Sequence, residues 1–421
     1  HRVDRRQRQM CIRDSMKYSI ILVFLLVFSS CKKVDSQVIS IKEDVTFLSD
    51  DKLEGRQTGT KGEQVAADYI ANRFKTLGLA AKGTEGYLQN FSFKPKTDPH
   101  QEVKYTVKDG DSTITGTNVI GFINNNAENT IIIGAHFDHL GYGAEGSLYR
   151  GEQAIHNGAD DNASGVSVLL NLASKLKSTN TGNNYLFIAF SGEEMGLLGS
   201  NYFVKNATID IKKANYMINM DMVGRLKDST LAIYGVGTSP ILKQTLKAHN
   251  NKFKLIEKES GVGPSDHTSF YNADIPVLHF FTGQHEDYHK PSDDADKLNI
   301  DGMQTISNYI FDLITDLDNN GKLPFRKTKN ESEDVPRFKV GLGVIPDYLF
   351  DGKGMRIDGI SEDKPAQKAG LQKGDIVVKL GDSAVVDMMS YMRALASFET
   401  GQKTKVVVER KGELVEAEIN F

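Results

Sequence analysis

The chain of 421 residues has no tryptophan and only two cysteines, Cys11 and Cys31, both near its start. Everything after Cys31 is free of thiols. That excludes disulfides, thiolate-held zinc and a cysteine nucleophile from any later folded region. An excess of one charge is also missing. Lys and Arg number 51 against 55 Asp and Glu, a formal net charge of −4. No basic stripe interleaves with aromatic residues, so nothing indicates nucleic acid as a partner. What remains is an ordinary globular composition, 39% hydrophobic and 25% charged, on a chain long enough for two domains and a sizeable core.

An apolar run near the start is short. Met16-Lys17 opens a positive region, Tyr18 to Phe28 is apolar except for Ser19, and Ser29-Ser30-Cys31 precedes a polar stretch from Lys32. A run of this length does not span a bilayer and has the layout of a signal peptide. Small residues followed by a cysteine resemble the bacterial lipoprotein signal over residues 16–31. The resemblance implies export to the cell envelope and anchoring of Cys31 by acyl chains on a periplasmic or surface membrane face. The other reading is an ordinary secretory signal with an incidental Cys31. Residues 1–15 do not fit before a signal and read as a non-native leader.

Beyond a lead-in over 37–57, apolar periodicity alternates between two kinds. Val65, Tyr69, Ile70, Phe74 and Leu77 recur at helical spacing until Gly78 stops them. Residues 88–123 alternate like strands (Val103, Tyr105, Val107; Asn118 to Ile123). Ile131 to Ile133 and Tyr185 to Phe190 read as buried strands, as do Tyr216 to Met220, Leu231 to Tyr234 and Pro276 to Phe281. Helices are expected over Ser164 to Leu176, Met195 to Val204 and Ile300 to Leu317. Strands alternating with helices imply an α/β fold, a mostly parallel sheet sandwiched by helices. Such sheets bind ligands beyond the carboxyl ends of their strands.

Metal-type residues fall at those ends. His136-Phe137-Asp138 closes one strand, and a ligating histidine commonly gives its second N–H to a carboxylate. Asp160-Asp161 sits in Gly158 to Gly165 ahead of a helix, where an acidic pair alone reads as capping. Glu193-Glu194 follows another strand; neighbouring side chains diverge, so one can ligate while the other faces a water. Asp221 interrupts the apolar Met220-Asp221-Met222, and Asp is rarely buried unpaired. His289 lies in a late loop beside Tyr288. Two imidazoles and three carboxylates are too many for one catalytic zinc with its usual three protein ligands. They suit two zinc ions sharing one carboxylate.

In these motifs the chain resembles the zinc-dependent dimetal aminopeptidases of the transferrin-receptor-like exopeptidase family. The resemblance covers roughly residues 45–317, with the phosphorylase/hydrolase-like zinc-exopeptidase fold implied over 37–317. It implies that Asp161 bridges two Zn²⁺, with His136 and Asp221 completing one site and Glu194 and His289 the other. It further implies Glu193 as general base or acid, Asp138 as the residue orienting His136, and Tyr288 as a partner of the tetrahedral oxyanion. Three carboxylates, two Zn²⁺ and a bridging hydroxide would sum to zero, leaving no bare buried charge. The implied activity is removal of N-terminal residues from peptides. A carboxypeptidase or a glutaminyl-cyclase-like enzyme on the same fold stays open. Ser265-Asp266-His267 resembles a family motif near the substrate pocket, with His267 not a ligand.

Asp318 to Arg337 is polar and reads as a linker. Residues 338–421 then form a unit of short strands and one clear helix. Gly341-Leu342-Gly343-Val344, Ala369-Gly370-Leu371 and Lys373-Gly374-Asp375 resemble a bacterial PDZ domain. That implies capture of a peptide C-terminus by the Gly341–Val344 loop, with the peptide adding as a strand. This unit could instead only shield the catalytic domain, or the whole chain could be a non-catalytic peptide-binding surface protein.

Overall fold

In the computed structural model the described residues are 40–95, 105, 112–143, 146–179, 181–329, 339–347, 349–350, 352–361 and 363–421. The expected leader and signal segment with Cys31, the positions Val103 and Val107, and linker residues 330–337 lie outside them.

The described chain opens on helix α1, Ile41–Leu48, capped by the Ser40 hydroxyl accepting from the Glu43 N–H. Ile41, Val45 and Leu48 share one buried stripe. This segment was expected only as a lead-in, but its apolar spacing makes it part of the core. A 3₁₀ turn, Asp51–Arg56, leads into α2, Lys61–Leu77, which Thr60 caps and Gly78 ends at φ +70°.

Among the described residues the first sheet has nine strands: β1 Ala80–Ala81, β2 Leu88–Phe93, β3 Ile114–Ile123, β4 Thr130–His136, β5 Asn184–Phe190, β6 Ala214–Met220, β7 Thr230–Tyr234, β8 Lys254–Lys258 and β9 Val277–Phe281. Their order is β1–β3–β5–β4–β6–β9–β7–β8, with β2 on β3. β5, β4, β6 and β9 form the parallel centre, while β3 and β7 flank it antiparallel. Every residue of β4, β5 and β6 is buried, as expected of parallel strands covered on both faces. On one face Ile132, Leu186, Ile188 and Met217 pack with Phe203 of α4, Leu198–Lys205, and Phe270 of α6, His267–Tyr271. On the other, α3, Gly165–Leu176, lies against β4, and α7, Ile300–Leu317, lies against α3. Helix α5, Leu242–His249, packs on α7.

The expected linker over 318–337 is, in its described half, a strap laid on the sheet. The Asp318 carboxylate accepts from the Thr181 and Gly182 amides. Leu323 is buried with its N–H on Asn215 Oδ1 at 2.8 Å. The Arg326 N–H meets Thr238 O, and the Thr328 N–H meets the Tyr271 hydroxyl. The polar composition that reads as a linker is engaged in hydrogen bonds to strand and helix ends.

The second sheet is antiparallel: β10 Val344–Pro346, β11 Met355–Ile360, β12 Ile376–Leu380, β14 Lys403–Arg410 and β15 Glu413–Asn420 in that order, with β13 Ser383–Ala384 on β12. Helices α8, Pro365–Lys368, and α9, Met388–Leu395, complete it. Met355, Ile357, Val377, Val406 and Val408 form its core with Tyr391 and Leu395 of α9.

Candidate metal centre

The four adjacent parallel strands β5, β4, β6 and β9 deliver the candidate residues to one edge. His136 ends β4, Glu193 and Glu194 follow β5, Asp221 directly follows β6, and His289 sits in the loop after β9. Asp161 comes from the turn before α3. That turn is clamped to β6: Asn162 Nδ2 donates to Met220 O, and Asn162 Oδ1 accepts from the Met222 and Gly165 amides. From the other side, Asp293 Oδ2 accepts from the amides of Asp160 and Asp161 at 2.9 and 3.1 Å.

The five residues converge. His136 Nε2 lies 3.3 Å from Asp161 Oδ1 and 3.3 Å from Asp221 Oδ1. His289 Nε2 lies 3.2 Å from Asp161 Oδ2 and 3.3 Å from Glu194 Oε2. Asp161 thus presents one oxygen to each of two half-sites, each finished by one histidine and one carboxylate. Two ligands held at about 2.0–2.1 Å on a tetrahedral zinc sit about 3.3 Å apart, so these spacings fit donors that share a cation. The donor set, imidazole nitrogen and carboxylate oxygen, is also the set zinc takes.

Glu193 and Glu194 are neighbours in opposite circumstances. Burial pushes the Glu193 carboxyl well above the usual range; His136 opposes this, and Asp221, Glu194 and Asp266 reinforce it. Burial also acts against the Glu194 charge, yet His289 and His139 hold that carboxyl down to about 2. The two neighbouring carboxyls are thus pushed in opposite directions. Burial and the surrounding carboxylates push the Tyr288 phenol up, which keeps it a donor. Its ring stacks on His289 at 3.8 Å.

Asp138 lies beside His136, as an ion-pair partner rather than a hydrogen-bond partner. Its carboxylate is 3.6 Å from His136 Nδ1, too far for a hydrogen bond, whereas its own carbonyl is 3.2 Å from that nitrogen. The carboxylate instead accepts from Thr58 Oγ1 at 3.0 Å and from the Glu193 amide at 3.1 Å. It ties the Glu193 turn to the His136 strand. His267 stands apart from the five, stacked on His279 with centroids 4.4 Å apart.

Two residues at the centre went unnoticed in the sequence. His139 Nδ1 is 2.7 Å from Glu194 Oε1; its signal was a second histidine three positions after His136. Arg56 is fully buried beneath the centre. Its guanidinium donates to the carbonyls of Phe137, Asn157, Gly158 and Leu48. Burial lowers its pKa to about 10 against the pull of Asp138 and Asp161. Nothing in the local sequence marks Arg56. Next to the centre opens a cavity of about 340 Å³ with Leu197, Met222, Tyr234, Phe281 and Tyr288 in its walls.

Residues 118–314 match Peptidase family M28 and residues 325–421 match a PDZ domain. The chain carries an M28 peptidase domain followed by a PDZ domain. Aminopeptidase YwaD of Bacillus subtilis (strain 168) is 32% identical over 170 residues, 38% of this chain and 36% of that protein. The chain spans less than half the length of the curated relatives it matches first. The structure of an aminopeptidase from Aneurinibacillus sp. strain AM-1 superposes with a TM-score of 0.52 at 20% identity, covering 73% of this chain and 98% of that one. A glutaminyl cyclase from Bacteroides thetaiotaomicron gives 0.53 at 18% identity, covering 66% and 96%. Likenesses this distant establish the fold that the M28 domain shares with both.

Proposed function

We propose that the chain is a zinc-dependent aminopeptidase that removes residues from the N-termini of peptides. The observation that carries the proposal is Asp161, whose two oxygens face two separate histidine–carboxylate pairs. His136, Asp161 and Asp221 would hold one Zn²⁺, and Glu194, Asp161 and His289 the other. Zinc at these positions would supply Lewis acidity and lower the pKa of a water. Glu193, poised high and facing the same space, takes the proton of the attacking water and delivers it to the leaving amine. The Tyr288 hydroxyl donates to the carbonyl oxygen as charge develops there. Asp138 and Arg56 keep the loops of this constellation in register.

The test compares aminoacyl chromogenic substrates with free and blocked N-termini, with and without chelator. Cleavage of the free forms, lost on chelation and restored by zinc, is expected. Equal cleavage of blocked substrates overturns the aminopeptidase reading, and indifference to chelator overturns the metal. The glutaminyl cyclase likeness favours one further arm, a peptide with N-terminal glutamine. Cyclisation without release of an amino acid would move the assignment to that chemistry.

The PDZ unit would take a peptide C-terminus at Gly341–Val344. In support, β10 pairs only with β11 among the described strands, leaving its other edge open for an added strand. Leu349, three residues after β10, packs onto Gly283 in the loop that runs to Tyr288, so a bound peptide would sit on an element that touches the catalytic loop. Fluorescent C-terminal peptides, free acid against amide, test this; equal binding removes the carboxylate role. The signal pattern supports export and a lipid anchor at Cys31, which labelled fatty acid should enter in the wild type and not in Cys31→Ala.

A further inference from the structure

We propose that His139 is a positioning residue that fixes Glu194 and thereby sets how tightly one half of the centre, Glu194 with His289, holds its cation, without binding that cation itself. The inference rests on the two-metal reading above.

The distances separate a ligand from a supporter. Candidate donors that face a shared cation are 3.2–3.3 Å apart in both halves. His139 Nδ1 is 2.7 Å from Glu194 Oε1 and 4.0 Å from Asp161 Oδ2. The shorter spacing is that of a charge-assisted N–H···O⁻ hydrogen bond. A carboxylate oxygen can only accept, so the proton is on Nδ1, and a protonated ring nitrogen has no lone pair for a metal. The other nitrogen, Nε2, is buried and meets no partner among the described residues.

The ring has no freedom to turn. It is 1% exposed. Gly158, at φ +54°, gives it room: a Cβ there would come within 2.5 Å of the His139 Cγ and Cδ2 atoms. The His139 amide is tied to Arg56 O at 3.3 Å. With Oε1 engaged by His139, Glu194 turns Oε2 toward His289. Among the described residues the other half receives no such donor. Asp221 is held through its backbone, its N–H donating to Phe280 O, and His136 through the carbonyl of Asp138. Loss of the His139 donor therefore acts on one half only. Residues that orient a metal-binding side chain typically govern affinity by about 10–100-fold.

The experiment is zinc titration of the full chain against a chromogenic chelator, for wild type, His139→Ala, His139→Asn and His139→Gln. Thermal melts in excess zinc confirm that each variant is folded. Asn places an N–H where Nδ1 stands, whereas Gln places one at the distance of Nε2. Wild type should bind two ions. His139→Ala should keep one at wild-type affinity and hold the other about 10–100-fold more weakly, Asn should restore most of the loss, and Gln should not. Should His139→Ala fail to fold, the contrast between Asn and Gln still decides. Equal weakening of both ions, no weakening of either, or Gln rescuing as well as Asn overturns the positioning role. A Co²⁺-loaded Asn variant whose visible spectrum has lost a nitrogen ligand would show that His139 is a ligand instead. If the wild type itself binds fewer than two ions, the two-metal reading falls, a result distinct from any of these.

Discussion

Strand β4 of the peptidase domain buries all seven of its residues, whereas β11 of the PDZ domain buries every second one. The first is covered on both faces, so polar groups can enter only where the strand ends. His136, Glu193 and Asp221 stand at or just beyond such ends, and their charges collect along one edge. The second buries only one face, so its polar residues are spread along its length and pair singly, as Asp358 does with Lys373. Chemistry in the first region is made by side chains gathered at an edge. In the second, β10 pairs only with β11 among the described strands.

The sharpest way to break this comparison is to alter one carboxyl at the gathered edge. Glu193→Gln should lower kcat by about 10³-fold while zinc content, measured by atomic absorption, stays near that of the wild type. Loss of metal would instead place Glu193 among the ligands. A substitution below the edge tests stability. Arg56→Met strips its donors from the carbonyls of Phe137, Asn157, Gly158 and Leu48. Gly158 O keeps the Ala163 N–H, but the other three lose the Arg56 donor; unsatisfied buried carbonyls cost about 1–3 kcal/mol each, so urea denaturation should report a loss of about 4 kcal/mol. A loss under 1 kcal/mol would mean that the loops are held without it.

The same contrast explains what the sequence discloses. Continuous apolar runs such as Ile131–Ile133 and Tyr185–Phe190 are of strand length and rich in β-branched or aromatic residues, so they read as strands buried on both faces, and the carboxylate after each run is conspicuous against it. The segment from Met195 is legible as a helix but begins later, at Leu198. Gly196 and Leu197 adopt φ of 106° and 59°, conformations that the right-handed helix excludes. Its own glycine was the available signal. The strap over 318–329 was read as a linker because its hydrogen-bond partners, Thr181, Asn215 and Tyr271, are remote in sequence. His139 and Arg56 share that difficulty. Their roles exist only through contacts the fold creates, and a lone His or Arg in a loop carries no periodicity that could announce them.

Titration sharpens the comparison through opposite signs. Glu63 on α2 is 3% exposed and accepts from the amides of Gly59 and Thr117 and from the Ser191 hydroxyl. Burial pushes its pKa from 4.5 to about 7. Its folded pKa lies above the unfolded one, so its contribution is complete below 4.5 and is lost as pH rises to 7, by roughly 3 kcal/mol. In Glu63→Gln this slope should vanish; an unchanged slope in chemical denaturation between pH 5 and 7 would refute the assignment. Asp375 in the PDZ domain behaves the other way. Burial opposes its charge, but both oxygens meet Arg410 at 2.7 Å and the pair holds its pKa below 3.8. Its contribution is present above 3.8 and disappears as pH falls through the folded value, so Asp375→Asn should resemble the wild type most closely in acid. A deficit that grows on acidification would reverse the sign.

The smallest effect belongs to the solvent-facing strands. Lys405 and Glu416 pair at 2.6 Å with both side chains more than half exposed. Exposed pairs contribute 0–1 kcal/mol because water screens them and ordering two long side chains costs entropy. Lys405→Ala should therefore leave the chemical denaturation midpoint close to that of the wild type, and any shift should shrink further in 0.5 M salt, where the Debye length falls to about 4 Å. A larger, salt-insensitive loss would mean that the lysine stem packs on the sheet rather than acting through its charge. The PDZ strands would then depend on side-chain burial in the same way as the peptidase strands, and the distinction drawn between β4 and β11 would narrow to their hydrogen-bonding edges.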